Sequence, residues 1–159
     1  MAKVIFICGK ICCGKTTYAY QLCRQNKAAV LSVDELMLAI WGQHCGDQHD
    51  EYAARTQKYL LGKSLELIES GMDVILDWGF WQKEKRDFIR EFYRSRGIAC
   101  EFHYIEISDE VWKARIQKRN EAVLADDSCA YYVDENLAAK FELRFELPGR
   151  DEIDVWIKQ

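Results

Sequence analysis

Proline is nearly missing from this chain: Pro148 is the single one among 159 residues. That excludes polyproline linkers and collagen-like repeats, and no low-complexity run takes their place. With no linker and no internal repeat, residues 1–159 read as one domain, long enough to bury a substantial core. Long apolar runs are absent too. The stretch Val4–Cys8 is far short of the roughly 20 residues a membrane helix needs, and the N-terminus lacks a signal-peptide cleavage pattern, so a cytosolic protein without membrane contact is expected. The seven cysteines (Cys8, Cys12, Cys13, Cys23, Cys45, Cys100, Cys129) form no C-x-x-C pair. An odd number cannot all be bridged, and in a reducing compartment they read as small buried apolar residues; Cys12 and Cys13, near a helix start, are the pair where a thiolate would be favoured. Basic excess is also lacking: 22 Lys and Arg stand against 26 Asp and Glu, for a net charge of -4, which argues against a broad nucleic-acid surface.

What is present begins at residue 9. Gly9-Lys10-Ile11-Cys12-Cys13-Gly14-Lys15-Thr16 fits G-x-x-x-x-G-K-[ST], after the apolar Val4–Cys8 and before a helical pattern that puts Tyr18, Ala19, Leu22 and Cys23 on one face. Glycines let the backbone turn sharply, so that successive N–H groups and the next helix's N-terminus aim at one anion. ATP phosphates fit such a cradle, formed by residues 9 to 16 and Thr17. Lys15 would reach the β/γ-phosphates, and the Thr16 hydroxyl would coordinate Mg²⁺.

Further along, Ala29–Asp34 reads as a second strand, then a short helix over 34–41 and a polar loop over 42–50. His44, Cys45 and His49 in that loop match no zinc spacing. A helix over 51–70 with a stripe of Ala54, Leu61, Leu65 and Ile68 ends at Gly71. The strand Asp73–Asp77, the turn Trp78–Trp81, and a helix burying Phe88, Ile89, Phe92 and Tyr93 follow; its Lys83, Lys85, Arg90, Arg94 and Arg96 read as a solvated face. A strand over 100–107, a helix over 109–120, a polar segment 121–132, a helix over 134–146 and a strand over 153–157 complete the chain. Strict alternation predicts a parallel sheet with helices on both faces.

Asp34 and Asp77 close strands, and carboxyl ends of parallel strands line the ligand crevice. Asp77 suits a magnesium ligand and Asp34 the base for an attacking hydroxyl, although Asp34 could instead cap the following helix. Arg115 and Arg119, four apart, share a helix face before the polar segment. Exposed arginines are one reading; a lid over about 115–135 that closes on the phosphates is the other. Trp78, Phe80 and Trp81 could line an acceptor pocket or belong to the core.

Asp77-Trp78-Gly79-Phe80-Trp81 with Arg86, and Arg115-x-x-x-Arg119-Asn120, resemble the zeta-toxin, chloramphenicol-phosphotransferase and polynucleotide-kinase-like group of AAA-type ATP-binding proteins. The resemblance runs from the phosphate loop to Phe145 and Pro148. It implies a P-loop three-layer sandwich with five strands in order 2-3-1-4-5, Lys15 and Thr16 on nucleotide and metal, Asp34 as base, and Arg115 and Arg119 in the lid. Relatives acting on RNA or DNA ends carry an arginine three residues after the base, where this chain has Met37. The sequence therefore predicts an ATP- and Mg²⁺-dependent kinase acting on a small hydroxyl compound. The other readings are an ATP-hydrolysing regulatory switch and a nucleic-acid 5′-end kinase.

Overall fold

The computed structural model describes residues 1–128 and 130–159; the Cys129 expectation lies outside them. Five strands form one parallel sheet in the order β2-β3-β1-β4-β5, as the resemblance implied. They are β1 (Lys3–Gly9), β2 (Ala28–Ser32), β3 (Asp73–Gly79), β4 (Ala99–Glu106) and β5 (Val155–Lys158). Six helices connect or cover them: α1 (Lys15–Gln25), α2 (Val33–Trp41), α3 (His49–Glu69), α4 (Lys83–Arg94), α5 (Asp109–Leu124) and α6 (Glu135–Arg144).

The two-residue alternation of a strand decides which layer each apolar side chain joins. Val4, Phe6 and Cys8 of β1 point to one face, where they meet Val74, Leu76, Phe102 and Tyr104 of neighbouring strands and Ile89 and Tyr93 of α4. Ile5 and Ile7 point to the other, with Ile75, Ile105, Ala19 of α1, Trp112 of α5 and Phe141 of α6. Both faces being covered explains why β1 is apolar without a break. Phe6, fully buried, contacts the rings of Phe80, Tyr93 and Phe102. Truncating such a side chain to alanine costs about 3–5 kcal/mol.

Several boundaries differ from the sequence expectation. β2 stops at Ser32, whose hydroxyl accepts from the Glu35 N–H at 3.3 Å and caps α2. Asp34 is therefore the second residue of a helix and not the end of a strand, and its capping role falls to Ser32. β3 runs on to Gly79 through a bulge: Phe6 pairs with Leu76 but Cys8 with Gly79, so Asp77 and Trp78 both stand opposite Ile7. Such an extra residue re-aims side chains, here beside the phosphate loop. α5 continues to Leu124, into the segment expected to be irregular, and the Ser108 hydroxyl caps its start by accepting from the Val111 N–H. Asp134 is the cap of α6, accepting from the Leu137 N–H at 2.7 Å.

Three packing expectations fail as well. Phe88 is exposed, because α4 turns Arg86 inward at a neighbouring position. Ala54 is exposed, and α3 buries Thr56, Leu60 and Ser64 instead. Of the six cysteines among the described residues, Cys8 and Cys13 are fully buried, while Cys12, Cys23, Cys45 and Cys100 are half-buried. Burial pushes the Cys8 thiol up to about 12 and raises that of Cys13, so neither is a nucleophile at neutral pH.

Candidate active site in the phosphate-loop cleft

The loop between β1 and α1 is held open from several sides. Gly14, at φ 99°, sits in the left-handed region that favours glycine, and a Cβ on Gly9 would lie 2.6 Å from Cys13 Sγ. Cys12 adopts φ 59° without that freedom, a conformation costing about 1–2 kcal/mol that surroundings must enforce. They do so through α5. Trp112 Nε1 donates to Ile11 O at 2.7 Å, Arg115 Nη1 to Cys13 O at 2.7 Å, and Arg119 Nη1 to Cys12 Sγ at 3.0 Å. Lys10 reaches Asp109 at 2.5 Å and lies over the Trp112 ring.

Lys15 folds back into the loop, its Nζ donating to Lys10 O at 2.8 Å and lying 3.4 Å from Gly9 O. A phosphate oxygen can replace those carbonyls with little motion of the side chain. The Thr16 hydroxyl donates to Asp77 Oδ2 at 2.6 Å, and Asp77 is buried beside it on β3. Two hard oxygen donors at this separation suit magnesium, which takes oxygen ligands in octahedral geometry and keeps several waters. A second fit is on the opposite wall: Arg119 Nε is buried without a hydrogen-bond partner among the described residues. A buried donor left so is costly, and an anion in the cleft would satisfy it.

The cleft has a volume of about 690 Å³, and its walls include Lys15, Thr16, Asp34, Asp77, Arg115 and Arg119. All six candidate side chains thus come together. The carboxyl of Asp34 is open to water yet set in a concavity dense with protein atoms. Partial desolvation raises its pKa, Lys15 opposes, Asp77 raises it further, and Arg119 and His49 lower it. Because water reaches the group, the upward push is smaller than in a sealed site.

The aromatic turn splits in two. Trp78 and Trp81 line the cleft, while Phe80, at φ 49°, is buried against Phe6 and Phe102. Trp78 Nε1 donates to Leu31 O at 3.1 Å, and Trp81 packs edge-on against Phe141. Met37 does not face the cleft. It is buried with Val33 and Leu60 in the layer between α2 and α3, so a side chain at 37 reports on that packing and not on the acceptor; Leu38 faces the cleft instead.

Three residues that sequence reasoning did not place build the frame. Arg86 is fully buried: its Nε donates to Glu152 Oε2 at 2.8 Å, and its Nη1 to Phe80 O at 3.1 Å and Glu146 O at 3.0 Å. It ties the turn after β3 to the C-terminal segment. Gln43 donates to Ala130 O at 2.6 Å and accepts from the Tyr132 N–H at 3.1 Å. Asn120 does the same with both backbone groups of Val133, at 2.7 and 2.8 Å. The segment 130–133 is thereby fastened to both α5 and the loop after α2. The Gln43 bonds span 87 and 89 residues and the Asn120 bonds 13, so neither amide's role leaves a periodic signal in the sequence.

A family model described as AAA domain matches residues 4–148, and the chain belongs to that family. No protein of curated function matches it. Among solved structures it is similar to a protein from Chloroflexus aurantiacus j-10-fl assigned as a kinase, at 16% identity and TM-score 0.73, over 99% of this chain and 86% of that one. It is similar to the Mycobacterium tuberculosis APS kinase CysC in complex with AMPPNP and APS, at 16% identity and TM-score 0.65, over 99% and 88%. It also resembles a chain of the Pnkp1/Rnl/Hen1 RNA repair complex, at 17% identity and TM-score 0.70, over 90% of this chain but 43% of that chain. These likenesses establish the P-loop α/β fold.

Proposed function

We propose that this chain is a kinase that transfers the γ-phosphoryl group of ATP to a hydroxyl of a small molecule. The observation that carries it is the Asp34 carboxyl, which stands in one cleft with Lys15 and the Thr16–Asp77 pair and has its pKa raised above the ordinary carboxylate value by desolvation. A base works best with a pKa near the operating pH, so that shift favours proton acceptance. A slow ATP-hydrolysing switch would have no use for it. The APS kinase among the structural neighbours was solved with AMPPNP, which supports a nucleotide in the corresponding loop.

In this reading the backbone of residues 9–16 and the Thr17 hydroxyl hold the phosphates, and Lys15 neutralises the β/γ oxygens. Magnesium held by Thr16 and Asp77 would supply charge stabilisation to the triphosphate. The acceptor oxygen bonds to the γ-phosphorus as the bond from that phosphorus to the β–γ bridging oxygen breaks. The electron pair leaves with ADP, and the hydroxyl proton passes to the Asp34 carboxylate. Arg119 donates its unpartnered Nε–H to the oxygens that gain charge in this step. The wall around Asp34 supports a small molecule over a nucleic-acid end, because Ser32, Glu35, Leu38 and Trp78 bring no basic side chain to grip a phosphate backbone.

The test is a screen of hydroxyl compounds with [γ-³²P]ATP and Mg²⁺, repeated with Asp34→Asn. Transfer slowed about 10²- to 10⁴-fold in the variant, with AMPPNP affinity kept within a few-fold, supports the base. ATP hydrolysis unaltered in the variant and blind to every acceptor would sink the proposal.

A further inference from the structure

The cleft is electrically divided. Lys15, Arg115, Lys118 and Arg119 bring its positive charge, and all four come from the phosphate loop or from α5 above it. The opposite wall is the first turn of α2 with the end of β3. It presents Asp34 and Glu35 side by side, Leu38 one turn on, and the indole of Trp78.

Neither acid on that wall forms an ion pair among the described residues, although ion pairs join acids and bases elsewhere on the surface. The basic groups that act on Asp34 through space are, in falling order, Lys15, Arg119 and His49, and bound phosphates would claim the first two. Glu35 is held in place by a neutral group: the Tyr20 hydroxyl lies 2.8 and 2.9 Å from its two oxygens. That phenol is pushed up to about 12 by its bond to Glu35, so it stays a protonated donor. One hydroxyl donates one proton, leaving most of the acceptor capacity of Glu35 for a ligand. On the far side of Asp34, Tyr131 is likewise raised to about 12 by burial and by the charge of Asp34. Among the described residues the acceptor wall therefore carries Asp34, Glu35 and ring surfaces and neither lysine nor arginine; His49, edge-on to the Tyr131 ring, is the basic group nearest to it.

We propose that the acceptor is a cationic, ring-bearing amino alcohol, with its ring against Trp78, its hydroxyl at Asp34 and its ammonium at Glu35. This rests on reading Asp34 as the base and the cleft as the transfer site. An ammonium supplies the missing counter-charge and can also lie over an indole face, which binds cations better than other rings. An anionic acceptor would meet both carboxylates at close range, a repulsive arrangement that selects against it.

The probes are three para-substituted benzyl alcohols that share ring and hydroxyl: the aminomethyl (ammonium), methyl (uncharged) and carboxylate compounds. Each is titrated by calorimetry into the protein loaded with Mg²⁺ and AMPPNP. A charged hydrogen bond predicts binding of the ammonium compound about 10- to 100-fold tighter than the uncharged one, with the carboxylate weaker still. Glu35→Gln, on an exposed side chain, should remove most of that preference; its AMPPNP titration and melting curve show whether the loop and fold survive. Equal affinities, tighter binding of the carboxylate, no binding by any probe, or a preference that persists in the variant would each overturn the inference. ATP in place of AMPPNP then separates it from the kinase reading: an ammonium probe that binds but is never phosphorylated sinks transfer and leaves the acceptor site standing.

Discussion

The Thr16 hydroxyl donates to Asp77 Oδ2 across 2.6 Å, joining the first turn of α1 to the bulged end of β3. This bond spans the place where the loop and the sheet would share a magnesium ion. Asp77→Asn keeps a hydrogen-bonding group there but removes the charge that a divalent cation needs. It should raise the Mg²⁺ concentration for half-maximal turnover by about tenfold or more while the melting temperature moves little. Turnover titrated against Mg²⁺ checks this, and an unshifted midpoint would take Asp77 out of the metal site.

The raised pKa of Asp34 ties activity and stability in opposite directions. For activity, the carboxylate is the working form, so the rate falls as pH drops through the raised value. For stability the sign reverses. A carboxyl whose folded pKa lies above its unfolded value contributes stability below the unfolded pKa, near 4, and loses it as pH rises through the folded value. Asp34→Asn, neutral at every pH, should therefore melt slightly higher than the parent at pH 7–8 and lose that advantage toward pH 4. Melting curves at both ends of this range decide it; a variant less stable at pH 8 would mean that Asp34 is not held at a desolvation cost.

Arg86 and Glu152 form a buried ion pair with Arg86 also donating to three backbone carbonyls. Removing one member of such a pair strands the other, at a cost of about 3–5 kcal/mol. For a domain of this size that is a fall of roughly 10 °C in melting temperature. Arg86→Ala should show it by calorimetry, along with loss of the Trp78–Trp81 arrangement in near-ultraviolet dichroism. A surface charge would give neither.

The sheet and the loop were legible because their signals are local. An unbroken apolar β1 followed by the glycine spacing admits few other folds, and the strand order that the family resemblance implied is the one observed. What escaped was set by distant partners. Arg86 looks in sequence like one more member of a charged helix, since only the acid at 152, 66 residues away, makes its burial tolerable. Arg90 is similar: it lies over the Phe102 ring and reaches Glu152 O, so it is not part of a solvated face. Asp34 was read into the strand because Val33 continues the apolar run, whereas Ser32 captures the Glu35 N–H and starts the helix one residue earlier.

Lys15→Ala should abolish transfer with a small change in stability. The bonds that Lys15 makes to Lys10 O and Gly9 O join it only to the loop and not to the core of the sheet. A melting temperature within a few degrees of the parent, with AMPPNP affinity lowered about tenfold or more, is the expected pair of results. Full turnover in the variant would contradict the phosphate-loop assignment.

Arg115 and Arg119 should separate, although they lie on one face of α5. Arg115 is committed to the protein: its Nη1 donates to Cys13 O at 2.7 Å and to Gln159 Oε1 at 2.8 Å, bracing the loop against the C-terminal strand. Among the described residues Arg119 bonds to the Cys12 sulfur alone and keeps a buried Nε unpartnered. Arg115→Ala should thus loosen the loop, lowering AMPPNP affinity and melting temperature together while reducing kcat modestly. Arg119→Ala should leave stability unchanged or slightly raised, since a buried unpartnered donor is removed. Its kcat should fall by up to about 10³-fold, the range of an arginine that stabilises phosphoryl-transfer charge. Single-turnover rates and AMPPNP titrations on both variants decide the point, and equal losses of rate and affinity in both would return the two arginines to one shared structural role.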